Sequence, residues 1–173
     1  MASSYSTDLK LELMVTGENS GTWGDITNTN LTIVQQAIAG YEAVTVSGTG
    51  DTALTFTNGN LSNGKNAVIK LTGTITDNIT VSIPDGIEKK YIFENGTTGS
   101  FTVQIKTSSG TGPTFAATDK GFKEVFSDGT NVVEKTIDTN NIVDDAIETA
   151  KILDANVTNA KLANDSITIN GTA

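Results

Sequence analysis

Acidic side chains gather toward the C-terminal end of this chain, at Asp144, Asp145 and Glu148, with Asp154 a little further on. Paired carboxylates are what general acid-base catalysis and calcium coordination require. These four, however, sit between the aliphatic positions of a repeat, where a solvated face is the ordinary use of charge. Two turns, Gly48-Thr49-Gly50 and Gly110-Thr111-Gly112, hold the glycines of a phosphate loop, but neither leads through Gly-Lys-Ser/Thr into a helix. Tyr91, Phe93, Phe101 and Phe126 are the aromatics from which a sugar-stacking platform could be built. Packing inside a β core accounts for them more simply. The expectation is of no catalytic residue, no metal ligand and no cofactor.

Composition removes further chemistries. The 173 residues include 11 basic ones, all Lys, against 20 Asp and Glu, for a net charge of −9, with no His and no Cys. Without His or Cys, the usual zinc, copper and iron ligand sets, the Ser-His and Cys-His nucleophile pairs and every disulfide framework are gone. Without Arg, bidentate clamps on phosphate or carboxylate are missing. The acidic balance argues against nucleic acid, which needs a basic stripe, and against anionic membrane surfaces. No stretch approaches the roughly 20 apolar residues of a transmembrane helix, and the start, Met1 to Thr7, lacks the pattern of a signal peptide. No membrane insertion and no Sec export are expected. The Asn-x-Ser/Thr triplets reflect the abundance of Asn and Thr rather than glycosylation.

The elements that would position any site fall into three segments. Residues 1–41 begin with Leu9, Leu11 and Leu13 alternating with Lys10 and Glu12, the pattern of a short half-buried strand. After a polar turn from Gly17 to Gly24, Asp25 or Thr27 can cap a helix with apolar positions at Leu31, Val34 and Ile38, which Gly40 would end. Residues 42–136 carry short apolar runs at 44–46, 54–56, 68–71, 79–83, 91–93, 101–105, 122–126 and 132–133. Between them stand Asn58-Gly59, Asn63-Gly64, Asp85-Gly86, Asn95-Gly96 and Asp128-Gly129, which supply the positive φ of tight turns. This pattern predicts a Thr-rich antiparallel β-sandwich. Two hairpins are expected within it, Tyr91 to Ile105 about Asn95-Gly96 and Phe122 to Val133 about Asp128-Gly129.

Residues 137–173 are different in kind. From Val132 an aliphatic residue recurs at every fifth position: Ile137, Ile142, Ile147, Ile152, Val157, Leu162 and Ile167. Five helical steps turn a side chain by roughly 140° relative to the last, so these positions share no helix face. Five strand steps reverse the face each time. The chain must turn a corner in each pentapeptide, as a β-solenoid does, or meet copies of itself around an axis. Small residues stand two before several aliphatics (Ala150, Ala155, Ala160), as in the Ala-(Asp/Asn)-Leu-x-x unit of pentapeptide-repeat β-helices. Eight aliphatic positions would make only two such coils, fewer than the about three that a solenoid needs. Three chains around an axis would supply the missing core, each buried aliphatic contributing roughly 1.5–3 kcal/mol. The two arrangements remain alternatives. In the trimer, Ile137 through Ile167 would be the seam.

Some of these residues resemble a known family. Asp8-Leu9-Lys10-Leu11-Glu12-Leu13-Met14, then Thr16-Gly17-Glu18-Asn19-Ser20-Gly21-Thr22-Trp23-Gly24-Asp25 and Thr27-Asn28-Thr29-Asn30-Leu31, look like the opening of virion structural proteins and tail fibres of marine tailed bacteriophages, especially those of cyanobacteria. The likeness extends in order through the Thr-rich segment to Asp145-Ala146-Ile147 and the closing Ile169-Asn170-Gly171-Thr172. It implies a mainly β, trimeric fibre: an N-terminal virion anchor, a β shoulder, and a pentad shaft that continues in a longer protein. It implies docking on other virion proteins at tail or neck (adaptor, nozzle or baseplate) through the N-terminal unit, with Trp23, Asp25 and Leu31 as docking candidates. It also implies contact with a host-surface receptor through a distal part not present here. A carbohydrate-binding module of a head or neck fibre, a capsid-decorating protein or an adhesin is the alternative. A fibre-borne depolymerase is the weakest reading, because no pair of acids has a recognisable cleft.

Overall fold

The computed structural model describes residues 3–137. The sequence segment before the β region opens with two short antiparallel strands, β1 (Ser4–Tyr5) and β2 (Glu12–Leu13). The alternation of Leu9, Leu11 and Leu13 does not become one strand, because Lys10 takes a left-handed φ of 55° and turns the chain. Its carbonyl accepts a 2.7 Å hydrogen bond from the Gly59 amide, which ties this turn to the loop beyond the first coil of strands.

The helix α1 (Trp23–Ala39) begins earlier than Asp25 or Thr27 would place it. The amides of Thr22 and Trp23 both donate to the Asn19 carbonyl, so the turn before the helix starts it without a side-chain cap. Gly40 ends it as expected, though in an extended conformation rather than the left-handed one of a glycine cap. Thr27, Thr29 and Thr32 return their hydroxyls to the carbonyls of Trp23, Asp25 and Asn28, which lets a Thr-rich segment stay helical.

Nine further strands follow: β3 (Tyr41–Thr45), β4 (Gly50–Ala53), β5 (Val68–Thr72), β6 (Ile79–Ile83), β7 (Glu88–Asn95), β8 (Val103–Thr107), β9 (Thr114–Phe115), β10 (Phe122–Asp128) and β11 (Val132–Glu134). The described fold is mainly β with one α-helix. These nine strands form two sheets, a five-stranded one ordered β11-β10-β7-β5-β3 and a four-stranded one ordered β4-β6-β8-β9, and from β3 to β8 they alternate between them. Both are mixed. Antiparallel pairing is found for β7 with β10, β10 with β11 and β8 with β9. The pairs β3/β5, β5/β7, β4/β6 and β6/β8 are parallel, which departs from a wholly antiparallel arrangement. From β3 to β8 the chain is wound, each coil laying one strand on each sheet.

The register explains the winding. Val68 lies beside Ile92, Ile79 beside Val103 and Thr74 beside Thr98. Side chains at the corners bond across coils at the same separation of 24 residues: the Thr102 amide to Asn78 Oδ1, the Ser109 amide to Asp85 Oδ1, and the Thr98 hydroxyl to Thr74 Oγ1. Asn95-Gly96 is one such corner and not a hairpin. The Gly96 amide donates to Leu71 of the preceding coil, and β7 and β8 belong to different sheets. The second expected hairpin is present: Phe126 faces Val133 across β10 and β11, with Gly129 at φ 84°.

Inward side chains of both sheets form one core, including Val44, Ile69, Leu71, Val81, Ile105 and Phe115. Tyr91 and Phe93 lie fully within it, their ring centroids 5.4 Å apart. At its edge Lys123 pairs with Glu134 at 2.8 Å and stands 5.2 Å from the Phe115 ring centre. Met1–Lys135 form one compact unit.

Candidate functional site

Four hydrogen bonds fix how α1 lies. The Asn30 side chain accepts from the Glu12 amide at 3.0 Å and donates to the Glu12 carbonyl at 2.9 Å, acting as an extra strand partner for β2. At the other end, the Gln36 carbonyl accepts from the Ala67 amide and the Gly40 carbonyl from the Val68 amide. These bonds turn Ile33, rather than Leu31 or Ile38, into the interior, and Ile33 is the one fully buried helix residue. Asn30 is a structural anchor that the sequence reading did not single out. Its signal was the Thr-Asn-x-Asn string itself.

The consequence is an apolar stripe facing outward. Trp23, Leu31 and Ile38 are 64%, 62% and 76% exposed. With half-buried Val34 they fall within an arc of about 80° on a helix turning 100° per residue. Asp25 is the only charged residue in α1. A surface helix normally alternates apolar and charged faces, and depletion of charge around exposed aromatic and aliphatic side chains marks the centre of a protein interface. Of the three docking candidates, the structure brings Trp23 and Leu31 onto one face. Asp25, two steps from Trp23, lies about 200° around the axis from it, where it faces solvent at the positive end of the helix.

The C-terminal half of α1 borders the outer face of the five-stranded sheet. Ile38, Ala67, Lys90 and Ile92 line a shallow concavity of about 220 Å³ there. Lys90 also lines a larger groove of about 480 Å³ over β10 and β11, with Glu124, Phe126, Val133 and Lys135. Lys90 and Glu124 pair at 2.7 Å, and this lysine, with Lys135, holds the Glu124 carboxyl below the usual carboxylate range. No protein-family model, curated protein or solved structure matches this chain. The exposed stripe and groove therefore have to be interpreted from their own chemistry.

The other sequence candidates fall in several places. Tyr91 and Phe93 are in the core and Phe101 packs against it, so only Phe126 of the four aromatics stands exposed and these four do not form one platform. Among the described residues no group of His, Cys, Asp and Glu could hold a metal, and no helix is long and apolar enough to cross a membrane. Ile137 is 80% exposed, whereas Val132, the first position of the pentad, is buried in the core of its own chain. Ile142, Ile147, Ile152, Val157, Leu162 and Ile167, and the acids Asp144, Asp145, Glu148 and Asp154, lie outside the described residues.

Two buried lysines are the strongest electrostatic feature of the interior. The Lys65 ammonium donates to the carbonyls of Thr57 and Asn60 at 2.7 and 2.6 Å, and Lys89 donates to Asn66 at 2.7 Å while lying 3.9 Å from the Tyr91 ring centre. Burial lowers Lys89 to about 8. Lys65 is lowered to about 8 by burial and, secondarily, by Lys10. Both pKa values are lower folded than unfolded, so between pH 8 and 10.5 the unfolded chain holds protons the folded one has lost, and stability rises with pH. Burial, with Asp8 nearby, raises the Tyr91 hydroxyl, so its contribution is present below its ordinary pKa and lost above about pH 10. Thermal melts from pH 7 to 11 are expected to show a maximum near pH 10. Lys89→Met should remove about half of the rise; an unchanged rise would assign it elsewhere.

Proposed function

We propose that this chain is a non-enzymatic structural component of a tailed-phage virion, a homotrimeric fibre whose N-terminal part attaches to other virion proteins. Its work is mechanical: it holds a shaft at a fixed point, and several fibres on one particle convert weak receptor contacts into avidity. The observation that carries this reading is the uncharged outward face of α1. Trp23 and Leu31 fall in the segment that resembles phage anchors and lie on that face with Ile38, a site suited to a protein partner rather than to a small polar ligand. The pentad from Ile137 supplies the trimer seam, and the segment 42–136 is the shoulder between anchor and shaft.

Light scattering on residues 1–173 beside a chain ending at Lys135 tests the seam. The longer protein is expected to be a trimer and the shorter one a monomer; a longer protein that stays monomeric at high concentration would count against the fibre. Trp23→Ala should weaken incorporation into particles at least about tenfold while leaving the melt of the β region unchanged. Loss of the fold instead would make Trp23 a packing residue.

A further inference from the structure

The two sheets have outer faces of opposite character, although the same coils build both. On the four-stranded sheet one outward row is Asp51, Thr80, Gln104 and Thr114, and the next is Ala53, Ser82 and Lys106. These are polar and small residues, with Ser82 covered beneath Asp51, to which its hydroxyl donates. On the five-stranded sheet the rows are Tyr41, Val68, Ile92 and Glu124; Ala43, Lys70, Glu94 and Phe122; Lys90, Phe126 and Val133; and, at one end, the acidic pair Glu88 and Asp128. Tyr41, Phe122, Phe126 and Val133 are all about half exposed or more. Large aromatic and aliphatic side chains exposed across one sheet, at both its margins, with the other sheet's outer face polar, mark a surface suited to being covered.

We propose that copies of this chain meet through this face, so that the shoulder as well as the shaft is intersubunit. This rests on the trimeric reading above. The occupant is identified by charge. The chain carries −9 overall, yet the carboxylates in the middle of this face are matched: Glu94 by Lys70 at 2.8 Å, and Glu124 by Lys90 at 2.7 Å and Lys135 at 3.9 Å. Another copy, which is equally acidic, meets less repulsion over these paired carboxylates than over unpaired ones, while a strongly basic partner finds little field here to complement.

The shape suits a cyclic trimer. In a threefold ring each chain offers two different half-surfaces to its neighbours. One margin of the sheet carries the groove of about 480 Å³ beside Phe126 and Val133. The opposite margin, the edge strand β3, carries the projecting ring of Tyr41, 56% exposed. The β10–β11 margin of one copy receives the β3 margin of the next. Lys135 lines the rim of the groove, and the chain runs from it to Ile137, the first residue assigned to the seam.

The test uses the full chain. Phe126→Glu with Val133→Glu is expected to raise the concentration at which the trimer dissociates at least about tenfold, with the circular dichroism of the β region unchanged. Because the chain has no Cys, Tyr41→Cys with Val133→Cys gives an independent measurement that survives misfolding of the first variant: mild oxidation should yield covalent trimers, and either single variant should yield none. A double Glu variant that folds and stays trimeric, or a trimer that the cysteine pair fails to link, overturns this face while leaving the pentad seam standing. A wild-type chain that is monomeric throughout overturns both.

Discussion

Gly112→Ala is expected to destabilise the β region by about 3 kcal/mol or more, lowering its melting temperature by about 10 °C. The Gly110-Thr111-Gly112 segment runs between β8 and β11. Its bonds go to both sides: the Ile105 amide donates to Pro113, the Val132 amide to Thr111, and the Thr111 amide to Asn131 Oδ1, each at 2.9 Å. A methyl group on Gly112 would fall on the Ile105 carbonyl oxygen and stand 3.0 Å from Val132 Cβ. Neither is the free end of a flexible side chain. The strand backbone would have to move, and with it the core contacts of Ile105 and Val132, both buried. Gly110→Ala meets the Thr130 carbonyl in the same way. Gly24→Ala is the control, since nothing lies within 4 Å of its added methyl, and it should be neutral or mildly stabilising in a helix. Equal melting temperatures for Gly112→Ala and Gly24→Ala would refute the close packing of this crossing.

The chemistry of that turn shows why some features were legible in the sequence and others not. Gly-Thr-Gly marks a turn from sequence, but the need for glycine comes from a strand that is adjacent only in the folded chain. Strand positions were readable because alternation encodes which side chains go inward, and β5, β6 and β10 lie where their apolar runs stand. Connectivity was not, because Asn-Gly and Asp-Gly suit a coil corner as well as a hairpin. Asp128-Gly129 joins strands that pair, whereas after Asn95-Gly96 the chain crosses to the other sheet. For α1, periodicity indicated a helix and grouped Leu31, Val34 and Ile38, but it did not say which way that group turns. The hydrogen bonds of Asn30 to Glu12 decide the orientation, and hydrophobic spacing carries no information about them. That orientation is also what exposes Trp23 and Leu31 together. Lys89 was legible in principle. It shares strand parity with Tyr91 and Phe93, and parity places it inward despite its charge.

Asn95→Ala should cost about 2–4 kcal/mol, because it strands buried polar groups rather than removing apolar contact. Asn95 is fully buried on the inward row with Val44 and Leu71, where a β core would ordinarily place an aliphatic. Its Nδ2 donates to the Asp119 carbonyl at 2.7 Å, and its Oδ1 accepts from the Thr97 hydroxyl at 2.7 Å and the Thr97 amide at 3.2 Å. One side chain thus holds the corner after β7 and the loop leading into β10. Alanine leaves the Thr97 amide and hydroxyl and the Asp119 carbonyl without it. Leucine would restore the volume but not the bonds, so Asn95→Leu is expected to be no better. Thr97→Val removes one of the stranded donors, and the Asn95→Ala, Thr97→Val pair should cost less than the sum of the single changes by about 1 kcal/mol. Denaturant unfolding of the four proteins reads this coupling directly. Strict additivity would mean that the corner is held by its backbone bonds to the preceding coil, and that Asn95 merely fills space.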